Sequence, residues 1–357
     1  MITLEDVITL AERGQFDEAI ERASQIDDEG ERIEALTKIT LIMNEKGLSD
    51  WAIEVIADAE YIAQHSKDPY VKAVGYARIG SVLFKLGYPN EAMEFLDVAL
   101  DVVGKIPDPL LRGNAVAMIA YYYALTGDSE TAIWLFDTAF DLVSQSERDY
   151  RTKVDELIRI GELIEAAGDN LPSQLALQLY HLAFDIFDKL YVNQKAATVE
   201  KKIRLATITQ TVGLPEVRKA LLEGRYRYAL ALIRNLFSGV QRLIGELEVA
   251  LWMKVVENPE YVEITDNAIR ELLKIEISPT DAYRIALLLT ELRYLESALR
   301  FAENIEDVRK KDTILRGVAL ALAEYGDYER AREIAGRIFN PAVREQTLRE
   351  IEAMELG

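Results

Sequence analysis

Apolar residues recur along this chain at steps of three and four, in blocks interrupted by a turn. Before Gly87 the block reads Tyr76, Ile79, Gly80 and Leu83; after it come Ala92, Leu96 and Ala99. Around Gly127 the same places hold Val116, Ile119, Ala120 and Tyr123, then Ala132, Phe136 and Ala139. Gly47 is flanked by Leu36, Ile39, Thr40 and Met43, then Ala52, Ile56 and Ala59. Gly168 follows the pattern with three extra residues around Pro172, and Gly326 follows it with Ala331, Ala335 and Ile338 behind the turn. Steps of three and four mark one face of a helix, so each block predicts two antiparallel helices joined by a turn. The strings GQFDEA, GYPNEA, GDSETA and GDYERA, at Gly14, Gly87, Gly127 and Gly326, write that turn four times. Glycine enters the left-handed conformation that ends the first helix. Asp128, Asn90 and Asp327 are expected to cap the second. Alanine or glycine at the crossing lets the two helices approach closely, where a larger side chain would overpack the contact.

This pattern resembles the tetratricopeptide repeat, whose signature is W-x2-L-G-x2-Y, then A-x3-F, then P. Gly80, Gly161, Tyr123 and Phe136 stand at signature positions. The tryptophan place holds Tyr76, Val116, Leu157 or Leu36, and the closing proline is missing or displaced. Successive turns at Gly47, Gly87 and Gly127 lie further apart than in that family, so longer second helices are expected. The resemblance implies an all-α, TPR-like α-solenoid, a right-handed superhelix of antiparallel helical hairpins. Motif regularity divides the chain into three: repeats over 1–192, a degenerate helical segment with a basic stretch over 193–279, and repeats with a capping helix from Pro341 over 280–357. A break or altered stacking is expected near 193–224, where Pro215 leaves only a short helix before Gly224.

Composition narrows the function more by exclusion than by indication. The chain has no cysteine, which excludes disulfides, thiolate nucleophiles and cysteine metal sites. Many Glu, Lys and Arg residues with two histidines would suit a thermophile's cytosol. No apolar run reaches membrane-spanning length, the longest being Ala115–Leu125, and MITLEDVITLAERG lacks the basic start of a secretory signal. A cytoplasmic location with no membrane partner is expected. Net charge is −20, with −19 in residues 1–194, +7 in 195–242 and −8 in 243–357. An acidic protein repels phosphate backbones, which disfavours nucleic acid as a partner.

No nucleotide-binding, metalloprotease or hydrolase motif is present, so no catalytic, cofactor or metal residues are assigned and the chain is read as a non-enzyme. His65 falls near a helix end and His181 stands alone, so both are read as structural or surface residues. Glu162 and Glu165, one turn apart, are read as a solvated helix face. By the resemblance, the inner helices carry the partner surface, at Glu34, Thr37 and Leu41, at Val74, Ala77 and Ser81, and at Asn114, Ala117 and Tyr121. No lysine occurs there, so the terminal-carboxylate clamp of some family members is not expected. Asn114 and Tyr121 are the groove contacts expected from that set. Lys201, Lys202, Arg204, Arg218, Lys219, Arg225 and Arg227 form a basic strip that binds an acidic or phosphate-bearing partner, or else docks on acidic repeats of this chain or of a second copy.

The function expected from these features is a scaffold that holds an unidentified protein or peptide in a concave groove. The alternatives are a regulator that binds an acidic, phosphate-bearing or nucleic-acid ligand through the basic strip, and an all-helical enzyme with a composite site. A homodimer through the apolar stretch 229–255 is also open.

Overall fold

The computed structural model describes residues 3–356. Those residues form twenty α-helices and no strand. They fall into two compact units, 1–203 and 204–357. Unit 1 begins with a short pair, α1 (Leu4–Glu12) and α2 (Phe16–Ser24). Four longer hairpins follow: α3 (Glu29–Glu45) with α4 (Ser49–His65), α5 (Pro69–Lys85) with α6 (Pro89–Val103), α7 (Pro109–Leu125) with α8 (Ser129–Gln145), and α9 (Tyr150–Asp169) with α10 (Ser173–Lys189). The boundary between units falls inside α11 (Asn193–Ile208). Unit 2 pairs α12 (Pro215–Leu222) with α13 (Tyr226–Leu236), α14 (Gly239–Val255) with α15 (Tyr261–Leu272), α16 (Pro279–Leu292) with α17 (Leu295–Ala302), and α18 (Val308–Glu324) with α19 (Tyr328–Gly336). It ends on α20 (Pro341–Leu356). The division of the sequence at 192 and 279 follows motif regularity, whereas these units follow the density of contacts.

The first helices of successive hairpins stack on one another, α1, α3, α5, α7 and α9 in unit 1 and α14, α16, α18 and α20 in unit 2. Each second helix packs on its own partner, giving the TPR-like solenoid architecture. Gly14, Gly47, Gly87, Gly127, Gly224 and Gly326 all adopt positive φ, between 73° and 91°. Five places after each of these turns stands an alanine with no solvent exposure: Ala19, Ala52, Ala92, Ala132, Ala229 and Ala331. Arg293 takes the same left-handed conformation, φ 70°, and is followed in the same way by buried Ala298.

Two expectations need correction. Gly168 is not a turn residue but the penultimate residue of α9, and a Cβ there would lie 2.6 Å from the Tyr180 ring. Its lack of a side chain serves close packing, and the chain turns beyond it, before Pro172. Asn90 lies inside α6, where Tyr88 is the N-cap residue, while Asp128 and Asp327 accept hydrogen bonds from Thr131 and Arg330 as second-helix caps.

A further hairpin lies in the segment where the motif dissolves. Glu257 supplies the left-handed turn, φ 60°, between α14 and α15. Counted back from Glu257, the buried Glu246, Val249, Ala250 and Met253 fall at the same offsets as Leu157, Ile160, Gly161 and Ile164 before Gly168. Behind the turn, Thr265 and Leu272 match Ala176 and Ala183, with the same three-residue extension, here around Pro259.

The loops between hairpins repeat a second device. Asp28, Asp68, Asp108, Asp149 and Asp307 cap the first helices with their side chains. A basic residue four places after the cap reaches back to a loop carbonyl: Arg32 to Ile26, Arg112 to Ile106 and Lys153 to Ser146. Arg344, four places after Asn340, does the same to Ile338. Those four loops thus have helix-end N–H groups and a free carbonyl satisfied at once.

The closeness of the crossings gives a test. A Cβ on Gly80 would meet the Ala92 carbonyl oxygen at 2.8 Å, whereas nothing lies within 4 Å of one on Gly87. Gly80→Leu should lower stability to urea by about 1–3 kcal/mol through overpacking. Gly87→Ala should cost about 1 kcal/mol through backbone strain alone. Equal small losses for both would show that the crossing is not tight.

Candidate functional site

The stacked first helices of unit 1 are tied by polar side chains that run from one helix to the next. Arg78 on α5 pairs with Glu34 on α3 at 2.9 Å and donates through Nε to the Tyr122 hydroxyl on α7 at 2.9 Å. Lys38 closes on the other side of Glu34 at 2.7 Å. Burial raises the Glu34 pKa, but Arg78 and Lys38 outweigh it and hold the carboxyl below its ordinary value. A second run begins at Tyr70 on α5, whose hydroxyl donates to Asn114 Oδ1 on α7 at 2.5 Å. The Asn114 amide in turn donates to Glu156 on α9, which also pairs with Arg159. A third joins α9 to α11: Lys202 Nζ lies 2.6 Å from both Glu165 and Asp169, and the Tyr180 hydroxyl donates to Asp169 at 2.8 Å.

These networks place the residues expected from the sequence. Asn114 is buried and its amide is used inside the fold. Tyr121 is half-buried, its ring edge-on to Tyr122 at 5.3 Å, and burial raises its hydroxyl pKa, with Tyr122 and Asp169 adding to the shift. Val74, Ala77, Ser81, Ala117 and Thr37 are buried as well. Lys202 is mostly buried among acidic groups, and Lys201 is exposed. Arg218 is buried and donates to the Gly213 carbonyl at 3.3 Å. Arg204, Lys219, Arg225 and Arg227 are exposed, with Arg225 paired to Glu223 and its guanidinium 5.0 Å from the Tyr228 ring. Glu162 and Glu165, one turn apart, each hold a lysine of α11, Lys195 and Lys202. His65 closes α4, its Nδ1 2.9 Å from the Tyr61 carbonyl, and His181 is exposed. Tyr123 is a core aromatic; burial and its hydrogen bond to Asp97 push its hydroxyl pKa up.

Unit 2 carries a surface that sequence reasoning missed. Ile208, Leu251, Val255, Leu287 and Leu288, from α11, α14 and α16, wall a cleft of about 400 Å³. Arg204, Thr207, Arg284 and Glu291 complete its lining. A second cleft of about 650 Å³ shares Leu287 and Glu291 and continues over α18 and α20, past Arg309, Thr313 and Val343. Both clefts thus border the stretch of α16 that carries Leu287 and Glu291. Arg284, in the lining of the first cleft, pairs at 2.5 Å with the fully buried Glu248, which also accepts from the Thr211 and Val212 backbone N–H groups at 2.9 and 3.1 Å. Partners 36 residues apart leave no local pattern, so no sequence signal marks this pair. Among the described residues no three His, Cys, Asp or Glu side chains are grouped to hold a metal ion, and no helix is long and apolar enough to cross a membrane.

Glycine-turned hairpins with stacked first helices define a TPR-like helical-repeat protein. No protein-family model matches the chain, and no curated protein matches it. The crystal structure of Ton1535 from Thermococcus onnurineus NA1 is 43% identical, superposes with a TM-score of 0.91, and pairs 99% of this chain with 100% of that one. The chain belongs to the same family as Ton1535. BtubC (BKLC) from P. vanneervenii, 15% identical with a TM-score of 0.33, pairs 75% of this chain with 90% of its own. Rap protein complexed with competence and sporulation factor, 13% identical with a TM-score of 0.32, pairs 97% with 98%. Likeness at those two scores carries no functional weight.

The networks predict a pH-dependent cost. Arg78→Met should lose about 1–3 kcal/mol at pH 7, because Glu34 keeps one partner of two and Tyr122 loses its donor. A depressed carboxyl pKa stabilises the fold above its ordinary value of 4.5 and ceases to do so as pH falls below it. The gap between variant and parent should therefore narrow between neutral pH and about pH 3 in urea titrations. A gap independent of pH would contradict the ion pair.

Proposed function

We propose that the protein is a non-enzymatic interaction scaffold that holds an unidentified protein or peptide along the inner helices of its hairpins. The observation that carries this reading is the pair of clefts in unit 2, which share Leu287 and Glu291 on α16 and between them are lined from α11, α14, α16, α18 and α20. Stacked hairpins offer an extended inner surface suited to a chain segment. Tyr121 in unit 1 is the second contact assigned to a partner, on the same helix as Asn114, which is buried between Tyr70 and Glu156.

Immobilised protein, exposed to native lysate of its source cells, should retain a protein that Leu287→Glu releases. Retention of no protein, with a small metabolite co-purifying stoichiometrically, would contradict the scaffold reading.

A second reading rests on a specific feature: Lys219, Arg225 and Arg227 lie exposed on and beside α12 and α13, with an arginine against an exposed tyrosine. Cations interleaved with aromatic rings suit phosphate-bearing or acidic ligands. RNA or DNA should then shift in a gel at physiological salt, and Arg225→Glu with Arg227→Glu should abolish the shift. Absence of any shift counts against the nucleic-acid form of this reading.

A further inference from the structure

On α16 the residues that line the first cleft, Arg284, Leu287, Leu288 and Glu291, follow one face of the helix. Two charged groups thus bracket an aliphatic step over two turns, about 10 Å. Ile208 and Leu251, both buried, add aliphatic surface from α11 and α14. The charges differ in how far the fold has used them. Arg284 donates through Nε to Thr211 Oγ1 at 3.2 Å, and through one terminal nitrogen to the Ile208 carbonyl at 2.6 Å and to Glu248 at 2.5 Å. Its charge is matched inside the protein. Arg204 and the Glu291 carboxylate are exposed and make no ion pair among the described residues. Lys254, close enough to feel the Glu291 charge, donates instead to the Glu291 carbonyl at 2.6 Å. With Glu248 counted against Arg284, the lining is neutral in sum and holds one unmatched charge of each sign.

We infer that this cleft binds a free aliphatic α-amino acid of leucine size, its side chain against Ile208, Leu251 and Leu288, its carboxylate at Arg204 and its ammonium at Glu291. The inference goes beyond the scaffold reading and does not rest on it, since the ligand fills the first cleft alone. Neutrality of the lining decides against an ion of either sign. A fatty acid would bring its charge to Glu291 and an amine would bring its own to Arg204, each a like-charge contact. A neutral alcohol would gain the aliphatic contact and answer neither charge. Size sets the rest. A compact space of 400 Å³ is roughly 9 Å across, and Arg204 and Glu291 line it without pairing. One small zwitterion spans such a gap, with a charge-assisted hydrogen bond of about 2.8 Å at each end.

The test is isothermal titration of the full chain with L-leucine, glycine, 4-methylpentanoate and L-leucinamide. L-Leucine should bind saturably, one molecule to a chain. Glycine, which lacks the side chain, should bind about tenfold or more weaker. 4-Methylpentanoate lacks the ammonium and leucinamide the carboxylate, and each should also lose about tenfold or more. Glu291→Gln and Arg204→Gln, both at exposed positions, separate the two ends of the ligand. The first should weaken L-leucine about tenfold and leave 4-methylpentanoate unchanged. The second should weaken both about tenfold and leave leucinamide unchanged. Absence of saturable L-leucine binding overturns the inference, as does L-leucine binding indifferent to both variants. 4-Methylpentanoate or hexanol that binds as tightly as L-leucine overturns it in favour of a plain amphiphile. Leucinamide that binds as tightly overturns it in favour of the amino end of a peptide. Retention of a lysate protein without L-leucine binding removes this inference and keeps the scaffold reading. L-Leucine binding with no protein retained does the reverse.

Discussion

The crossing of two helices within each hairpin governs everything built on it. The backbones approach so closely that the Ala92 carbonyl occupies the place a Gly80 side chain would need, and the matching alanine of every glycine-turned hairpin is sealed from solvent. Close approach at one point lets larger residues on either side interlock, among them Leu96, Phe136 and Tyr180, each fully buried. Dense packing of this kind fixes the angle between the two helices, since interiors tolerate neither voids nor excess volume. With the hairpin rigid, the first helices have one face left to share with their neighbours, and they stack. The inner surface follows from that stacking.

Apolar stacking alone would permit neighbouring hairpins to slide, because hydrophobic burial has little directionality. The polar runs remove that freedom. Glu34, Arg78 and Tyr122 belong to three successive first helices, and Tyr70, Asn114 and Glu156 to the next overlapping three. A shift of one residue would leave a buried carboxylate or guanidinium without its partner, a larger penalty than the pair's own net contribution. Glu248 does the same in unit 2, where it closes two backbone N–H groups and Arg284 at once. The interior charges therefore act mainly on register, and through it on the shape of the inner surface.

Much of this was legible in the residues because the hairpin turn demands chemistry that few residues supply. Glycine at a left-handed position followed by a buried alanine is a local signal, and it marked six hairpins directly. It fails at α14 and α15, where Glu257 takes the left-handed conformation in place of glycine and Thr265 replaces the alanine, whereas Arg293 keeps the pattern legible through the alanine at Ala298. It also misled at Gly168, where glycine accommodates the Tyr180 ring inside a helix. The Asp-x-x-x-Arg/Lys device at the hairpin joints is written as plainly as the turn, at Asp28, Asp108 and Asp149. The site was the least legible part. Residues flagged by charge, such as Lys202, spend that charge within the chain, and the cleft walls come from helices far apart in sequence. Their convergence depends on stacking geometry, which no short motif records.

The central claim is that a partner lies along the inner helices and not across the outer ones. A photo-crosslinking amino acid placed at half-buried Leu287 on α16, or at exposed Val262 on α15, separates the two faces in native lysate. The account predicts a discrete crosslinked protein from position 287 and none from position 262. Crosslinks from position 262 alone would contradict it.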